Sequence, residues 1–302
     1  MSRNATLDYA RFLASLGIVL FHAKAPGASI GYAALPFFMM TLILLSAPGM
    51  ASQPFRLFAV NRARRLLGPW LLWSIVYGLL KLLDVAVSGH PLGSEFALWM
   101  LLTGPALHLW FLPFAFIACL AIYPVARRLM RSNPIAGLAI VCALALASQA
   151  FQSSQEFLTP FSQWFFVLPS AIFALAFATG QNAGSTATPI VLAMLAAGGL
   201  VICSTVFGWT TGLFQFGLAT GVLGLCLLFP LQETALSRLA ADVSLGIYLV
   251  HPLMISVLTR VTPLAPATMG LALAAMAGAL MVVLVLRALK HWRKDATAFP
   301  GV

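Results

Sequence analysis

Apolar runs long enough to cross a lipid bilayer recur along the whole of this 302-residue chain. A run of about 20 apolar residues spans the hydrocarbon core as a helix. Inside that core every backbone polar group must be bonded within the protein, which long runs achieve by folding as α-helices. Only 8% of the residues are charged, against about 25% in soluble domains. The sequence therefore predicts an all-α, polytopic membrane protein with a single integral membrane domain, residues 1–302.

The apolar runs predict about ten transmembrane helices. They are Leu7–Ala23, Tyr32–Pro48, Leu66–Ser88, Leu107–Val125, Pro134–Phe151, Trp164–Thr179, Pro189–Phe207, Gly212–Pro230, Asp242–Leu258 and Leu264–Leu289. A further apolar segment, Glu95–Leu102, is too short to cross the bilayer, and we expect it at the membrane interface.

The basic residues orient these spans. With ten spans both termini share one side, and the loops on that side hold 13 lysines and arginines, against two (Lys24 and Arg260) on the other. The positive-inside rule then predicts cytoplasmic termini in a multi-pass protein of the cell inner (plasma) membrane. The same rule and contact with anionic membrane lipid account for the net charge of +10, so no nucleic-acid partner is expected.

Ionisable residues inside the first predicted helix are the strongest functional signal. Arg11 and His22 are separated by ten uncharged residues, and eleven helical steps return to nearly the same face about 16 Å along the axis. Asp8 lies one turn before Arg11. Ionisable residues in a spanning helix usually face a cavity or a partner, and histidine is the commonest general base. The alternative is a histidine that reaches the interface or bonds a neighbouring carbonyl.

Two arginines before the third predicted span form a second candidate site. Arg62 and Arg65 are three residues apart, so on a helix they share a face. Paired guanidinium groups bind phosphate through charge-assisted hydrogen bonds. The alternative is ordinary positive-inside charge that contacts lipid headgroups.

Aromatic and histidine residues mark two further segments. His108 and Trp110 lie in the run HLWFLP, where Trp110 could equally be an aromatic-belt anchor. Tyr248 and His251 lie three apart in a late span, where an intramembrane histidine is either functional or bonded to a neighbouring helix. The four cysteines lack metal-like spacing, and no metal site is predicted.

Taken in order, these motifs resemble the acyltransferase-3 family of integral membrane acyltransferases, of the polysaccharide O-acetyltransferase type. The matching pieces are Asp8, Arg11 and His22, then Arg62 and Arg65, then Leu109–Leu112, then Tyr248–Pro252. One piece departs from the family pattern. The Phe37-Phe38 pair is followed by Thr41 and Leu42, where the family usually has serine and glycine.

The resemblance implies transfer of an acyl group, most often acetyl, from cytoplasmic acyl-CoA to a hydroxyl of an exported or lipid-linked carbohydrate. Acyl-CoA would be a co-substrate, with no permanently bound cofactor, and polysaccharide assembly proteins are possible partners. His22 would be a general base or a transient acyl carrier, Arg11 would order the site, and Asp8 would orient Arg11. Arg62 and Arg65 would bind the CoA phosphates. The substrate-lining candidates are His108, Trp110, Tyr248 and His251.

Two other classes of function fit the same features. A transporter or flippase for a glycan or lipid could use the buried charges as a substrate path. In an enzymatically inert membrane subunit of a polysaccharide assembly complex, the motifs would have no catalytic role. An acyltransferase must respond to acyl-CoA, whereas a flippase need not.

Overall fold

The protein was studied as a computed structural model, which describes residues 4–129 and 213–298 and scattered helical positions between 170 and 206. All regular structure in these residues is helical. The elements are α1 Ala5–His22, α2 Ala28–Gly31, α3 Ala34–Ser52, α4 Phe55–Ser88, α5 Leu92–Glu95, α6 Met100–Thr103, a 3-10 turn Leu107–Trp110, α7 Phe111–Leu129, α8 Leu213–Leu228, α9 Ala235–Val261 and α10 Met269–Ala298.

The all-α, polytopic membrane architecture is confirmed. Five segments among the described residues are long and apolar enough to cross a membrane. They are Ala28–Ser52, Phe55–Ser88, Leu107–Pro124, Ala235–Val261 and Met269–Lys290. The count of ten and the side of the termini stay predictions. The predicted span Pro134–Phe151 lies outside the described residues, as do most of Trp164–Thr179 and most of Pro189–Phe207.

The third span differs most from its predicted bounds. The sequence predicts Leu66–Ser88 after a basic approach, but one helix, α4, runs from Phe55 to Ser88. At 1.5 Å per residue its 34 residues extend about 51 Å, well beyond a hydrocarbon core of about 30 Å. The arginines are therefore part of the helix, on an extension that precedes its most apolar part.

The last two helices also shift, for reasons of capping. Helix α9 begins at Ala235, seven residues before the predicted start, because Thr234 and Ser237 form a reciprocal capping box with two 3.0 Å bonds. Helix α10 begins at Met269 rather than Leu264. Pro266 and the left-handed Ala267 (φ 63°) precede it, and neither conformation continues a helix.

The chain divides into two compact units, Met1–Leu35 with Leu225–Val302, and Pro36–Gly224. In the first unit α1, α9 and α10 pack together, and α10 presents a row of fully buried alanines at 272, 275 and 279. A Cβ on Gly246 of α9 would lie only 2.7 Å from Val283 of α10. Small residues let helix backbones approach closely, as is usual between membrane helices.

In the second unit α4 packs against α7. The hydroxyl of Tyr123 on α7 donates to the backbone carbonyl of Gln53 at 2.6 Å, and its ring contacts Phe55 and Phe58 at the start of α4. These contacts fix the helix turn that precedes the arginine pair. At the other end of α4, Lys81 binds Glu95 of α5, with 3.4 Å between ammonium and carboxylate.

Candidate active site

The first turn of α1 is hydrogen-bonded to the last turn of α8 and to the segment between α8 and α9. Asn4 caps the helix by accepting from the Thr6 amide at 3.0 Å, and it donates to the Cys226 carbonyl at 2.8 Å. The Thr6 hydroxyl donates to the Phe229 carbonyl at 2.7 Å and accepts from the Leu231 amide at 3.0 Å. Side-chain caps of this kind satisfy backbone groups that a helix end leaves open. They also fix the axial position of α1.

The last turn of α1, which carries His22, is fixed as well. Lys24 is left-handed (φ 53°) and donates its amide to the Phe21 carbonyl at 3.0 Å, which stops the helix after His22. The carbonyl of Ala23 accepts from the Ala267 amide at 3.2 Å, in the loop between α9 and α10. Since both ends of α1 are bonded to neighbouring segments, the His22 side chain has little freedom to move along the helix axis.

His22 and His251 lie side by side. Their ring centroids are 4.9 Å apart, with 47° between the ring planes. Tyr248 lies on the other side of His251, at a centroid distance of 6.1 Å. His22 is half-buried, whereas His251 is fully buried. Three of the candidate residues from two distant parts of the sequence therefore form one cluster.

An aromatic stack supports His22 from the chain that follows α1. The Phe21 ring meets the His22 ring edge-on at 5.3 Å and stacks on Tyr32 at 4.3 Å. Tyr32 is held there by a backbone contact between two glycines, because a Cβ on Gly31 would collide with the Gly17 carbonyl oxygen. None of these four residues was predicted as a site residue. A glycine in α1 was the only signal for them, and its partner could not be named without the fold.

Asp8 and Arg11 form a separate pair near the start of α1. The Arg11 guanidinium lies 3.8 Å from the Asp8 carboxylate, which is almost fully buried. Eleven helical residues put Arg11 about 16 Å along the axis from His22. Ser15 and Ile18 lie between Arg11 and His22 on the same face of α1, and both are buried. The structure thus places Arg11 beside Asp8 and keeps this pair apart from the His22 and His251 rings, and the roles of both residues stay predictions.

The arginine pair lies in the second unit, on α4. The Arg62 guanidinium stacks over the Phe58 ring, with 5.4 Å from its central carbon to the ring centroid. Its Nε is buried and has no hydrogen-bond partner among the described residues. Arg65, one turn further, is exposed. One arginine is thus held in place by an aromatic ring, while the other reaches solvent, an arrangement that can bind an anion at the surface.

His108 and Trp110 are core residues of the same second unit. His108 is 4% exposed and meets the Tyr77 ring edge-on at 5.1 Å. Trp110 is 5% exposed and packs beside Phe111 and Phe114. A belt tryptophan would face the membrane surface, so the burial of Trp110 favours a packing role over the aromatic-belt interpretation. Both residues have structural packing partners, and their substrate roles stay predictions.

The segment of α3 that departs from the family pattern, around Thr41 and Leu42, consists of core side chains. Met39 and Met40 are fully buried, and the Thr41 hydroxyl donates to the Phe37 carbonyl at 2.9 Å within α3. Among the described residues no group of three or more metal-ligating side chains is present.

Comparison with known proteins finds a family match over most of the chain. A family model described as an acyltransferase domain, acyltransferase-3, matches residues 4–288. This range includes every candidate site residue named above. No curated protein matches the chain, and no solved structure matches it.

Proposed function

This chain belongs to the acyltransferase-3 family of membrane acyltransferases, and from that premise we propose that it transfers an acyl group, most often acetyl, from acyl-CoA to a carbohydrate hydroxyl. The observation that carries the proposal is the position of His22 within a family match that spans nearly the whole chain. His22 is a half-buried imidazole on a helix whose two ends are both hydrogen-bonded to neighbouring segments. Such a ring is suited to take the proton of an attacking hydroxyl. The acceptor would be an exported or lipid-linked glycan.

The arginine pair supports a phosphorylated donor. Coenzyme A carries phosphate groups, and guanidinium groups bind phosphate through charge-assisted hydrogen bonds. Arg62 is presented by its stack on Phe58, with a buried Nε that still lacks a partner among the described residues. We assign this pair to the CoA phosphates, and acyl-CoA is then a co-substrate rather than a resident cofactor.

The proposed topology puts the donor on the cytoplasmic side of the inner membrane and both termini there as well. It rests on the unequal distribution of basic residues. Reporter fusions at the C-terminus should read cytoplasmic, and fusions near Gly93 should read outside. A C-terminus outside the cell would place the arginine-bearing side away from the acyl-CoA supply.

Acyl transfer is tested directly with purified protein in nanodiscs, labelled acyl-CoA and glycan extracted from a deletion strain. We expect label to enter the glycan, and we expect the strain's own glycan to lack about 42 mass units (acetyl) or about 100 (succinyl) per modified residue, the increments of acyl transfer. A flippase would move glycan across vesicle membranes without consuming acyl-CoA. Glycan of unchanged mass in the deletion strain would contradict the proposal.

A further inference from the structure

A backbone contact on α9 determines which ring nitrogen of His251 carries the proton. Its Nδ1 lies 3.2 Å from the backbone carbonyl oxygen of Ile247, one turn earlier on α9. A carbonyl oxygen only accepts hydrogen bonds, so Nδ1 must carry the proton. In the neutral ring the basic lone pair then resides on Nε2. The backbone therefore sets both the tautomer and the orientation of this imidazole.

The two imidazoles differ in access. His251 is 0% exposed, whereas His22 beside it is half-buried. A substrate that reaches the cluster meets His22 first. With ring centroids at 4.9 Å, His251 is placed to act on His22 rather than on the substrate. Hydrogen bonds of a catalytic group are often long in the free enzyme and tighten in the complex.

A catalytic base commonly has a partner that orients it, most often a carboxylate. Two carboxylates of this unit are engaged elsewhere. Asp8 pairs with Arg11 at the opposite end of α1. Asp242 accepts from Arg287 at 2.6 Å, nine residues before His251 on α9. The Ile247 carbonyl and the His251 ring form a polar chain that leads to His22.

We propose that His251 is a positioning residue for His22: its Nε2 accepts the N–H of one His22 nitrogen, which leaves the other His22 nitrogen as the base. This inference rests on the proposed function. The His22 base takes the proton of the acceptor hydroxyl while the hydroxyl oxygen bonds to the thioester carbonyl carbon. The carbon–sulfur bond then breaks, its electron pair leaves with sulfur, and His22 returns the proton to give the CoA thiol. His251 keeps its Nδ1 proton throughout and stabilises the transient positive charge on His22.

Kinetics of variants in nanodiscs test this role. His251→Ala should lower kcat by about 10- to 100-fold, because neutral His22 is no longer held in the reactive tautomer and charged His22 loses its partner. The KM for acyl-CoA should be nearly unchanged, because the donor does not use this contact. His251→Gln, whose amide oxygen can accept the same N–H, should recover part of the rate. If His251→Ala does not accumulate in the membrane, the kcat of His251→Gln alone tests the positioning role of His251. Unchanged kcat in both variants would overturn the proposal.

Two control variants separate positioning from packing. Val250→Ala removes an adjacent, fully buried side chain of the same helix and should lower stability without changing kcat per folded molecule. His90→Ala removes an exposed histidine and should change neither. A kcat loss in Val250→Ala as large as in His251→Ala would mean that any core defect in α9 has this effect, and it would overturn the proposal.

A double-mutant cycle asks whether His251 acts through His22. If it does, adding His251→Ala to His22→Ala should cause no further loss, because the group on which it acts is gone. A loss of the same factor in both backgrounds would show an independent role and would contradict the proposal.

A spectroscopic measurement is independent of activity. Nitrogen-15 NMR of labelled histidine reports the tautomer of each of the five histidines, and His22→Ala assigns the His22 signal. We expect His22 to populate one tautomer in the unmodified protein and a mixture in His251→Ala. An unchanged His22 spectrum would overturn the inference. If the unmodified protein transferred no acyl group, the proposed function would fail while this spectrum still decided the positioning.

Discussion

The imidazole cluster (His22, Tyr248 and His251) and the arginine pair (Arg62 and Arg65) differ in how their residues are brought together and in how exposed they are. His22 and His251 come from α1 and α9 and lie against each other in a buried setting, where backbone bonds fix both ends of α1. Arg62 and Arg65 come from neighbouring turns of one helix, and Arg65 is exposed. The first arrangement holds a ring to within a narrow orientation, which proton transfer requires. The second presents charge at a surface, which suits the capture of a solvated, phosphorylated molecule.

The contrast indicates that the two regions should fail differently when altered. Loss of a group that acts only in the transition state lowers kcat, whereas loss of a uniform binding contact raises KM. Variants in the imidazole cluster should therefore change kcat, and variants in the arginine pair should change KM.

The largest effect is expected from His22→Ala. Loss of a general base typically costs about 10²- to 10⁴-fold in rate, so turnover should fall by at least about 10²-fold while acyl-CoA still binds. Turnover and donor binding are measured separately, with labelled acyl-CoA and purified protein. Full turnover in this variant, or loss of donor binding in it, would contradict the assignment of chemistry to His22.

A smaller effect is expected from Arg62→Ala and Arg65→Ala. A hydrogen bond to a charged group contributes about 1.5–3 kcal/mol, so each change should raise the KM for acyl-CoA by roughly tenfold or more and leave kcat nearly unchanged. The KM should also become less sensitive to salt. Arg62→Lys should restore only part of the affinity, since lysine lacks the planar fork.

Arg64 supplies the matched control for charge. It is exposed on the same helix but lies about 200° around the axis from Arg62. Arg64→Ala removes the same charge from another face, and its KM should stay near that of the unmodified protein. An equal rise in KM for all three variants would mean that net charge, rather than a paired site, attracts the donor.

The smallest effect is expected from Gly31→Ala. Its Cβ would collide with the Gly17 carbonyl oxygen, and overpacking of this kind costs about 1–3 kcal/mol. The thermal midpoint should fall by several degrees, and kcat should fall a few-fold because Tyr32 and the Phe21 stack move beside His22. Gly68→Ala is the control, since nothing lies within 4 Å of its added Cβ. A lower midpoint in Gly68→Ala of the same size would show that helix glycines in general are sensitive.

Much of the fold could be predicted because its main cause is local. Helix type and approximate span position follow from apolar length, which is why α1, α3 and α7 begin within a few residues of prediction. The errors fall where capping or a special backbone angle decides the boundary. The Thr234 cap makes α9 begin earlier in the sequence than predicted, and the left-handed Ala267 makes α10 begin later.

The candidate site was predicted unevenly for a similar reason. Arg62 and Arg65 are neighbours by helix spacing alone, and the sequence shows that. Trp110 looked the same in sequence whether it faced lipid or core, and only its packing beside Phe114 shows that it lies in the core.

The sequence by itself determined that this protein is a helical membrane acyltransferase, because apolar length and motif order are properties of the linear chain. It also determined that His22 shares a helix face with Arg11, since helix geometry is fixed. Only the tertiary structure decided that His22 lies beside His251. These two imidazoles are 229 residues apart in sequence, and their contact depends on how small residues let α1, α9 and α10 approach.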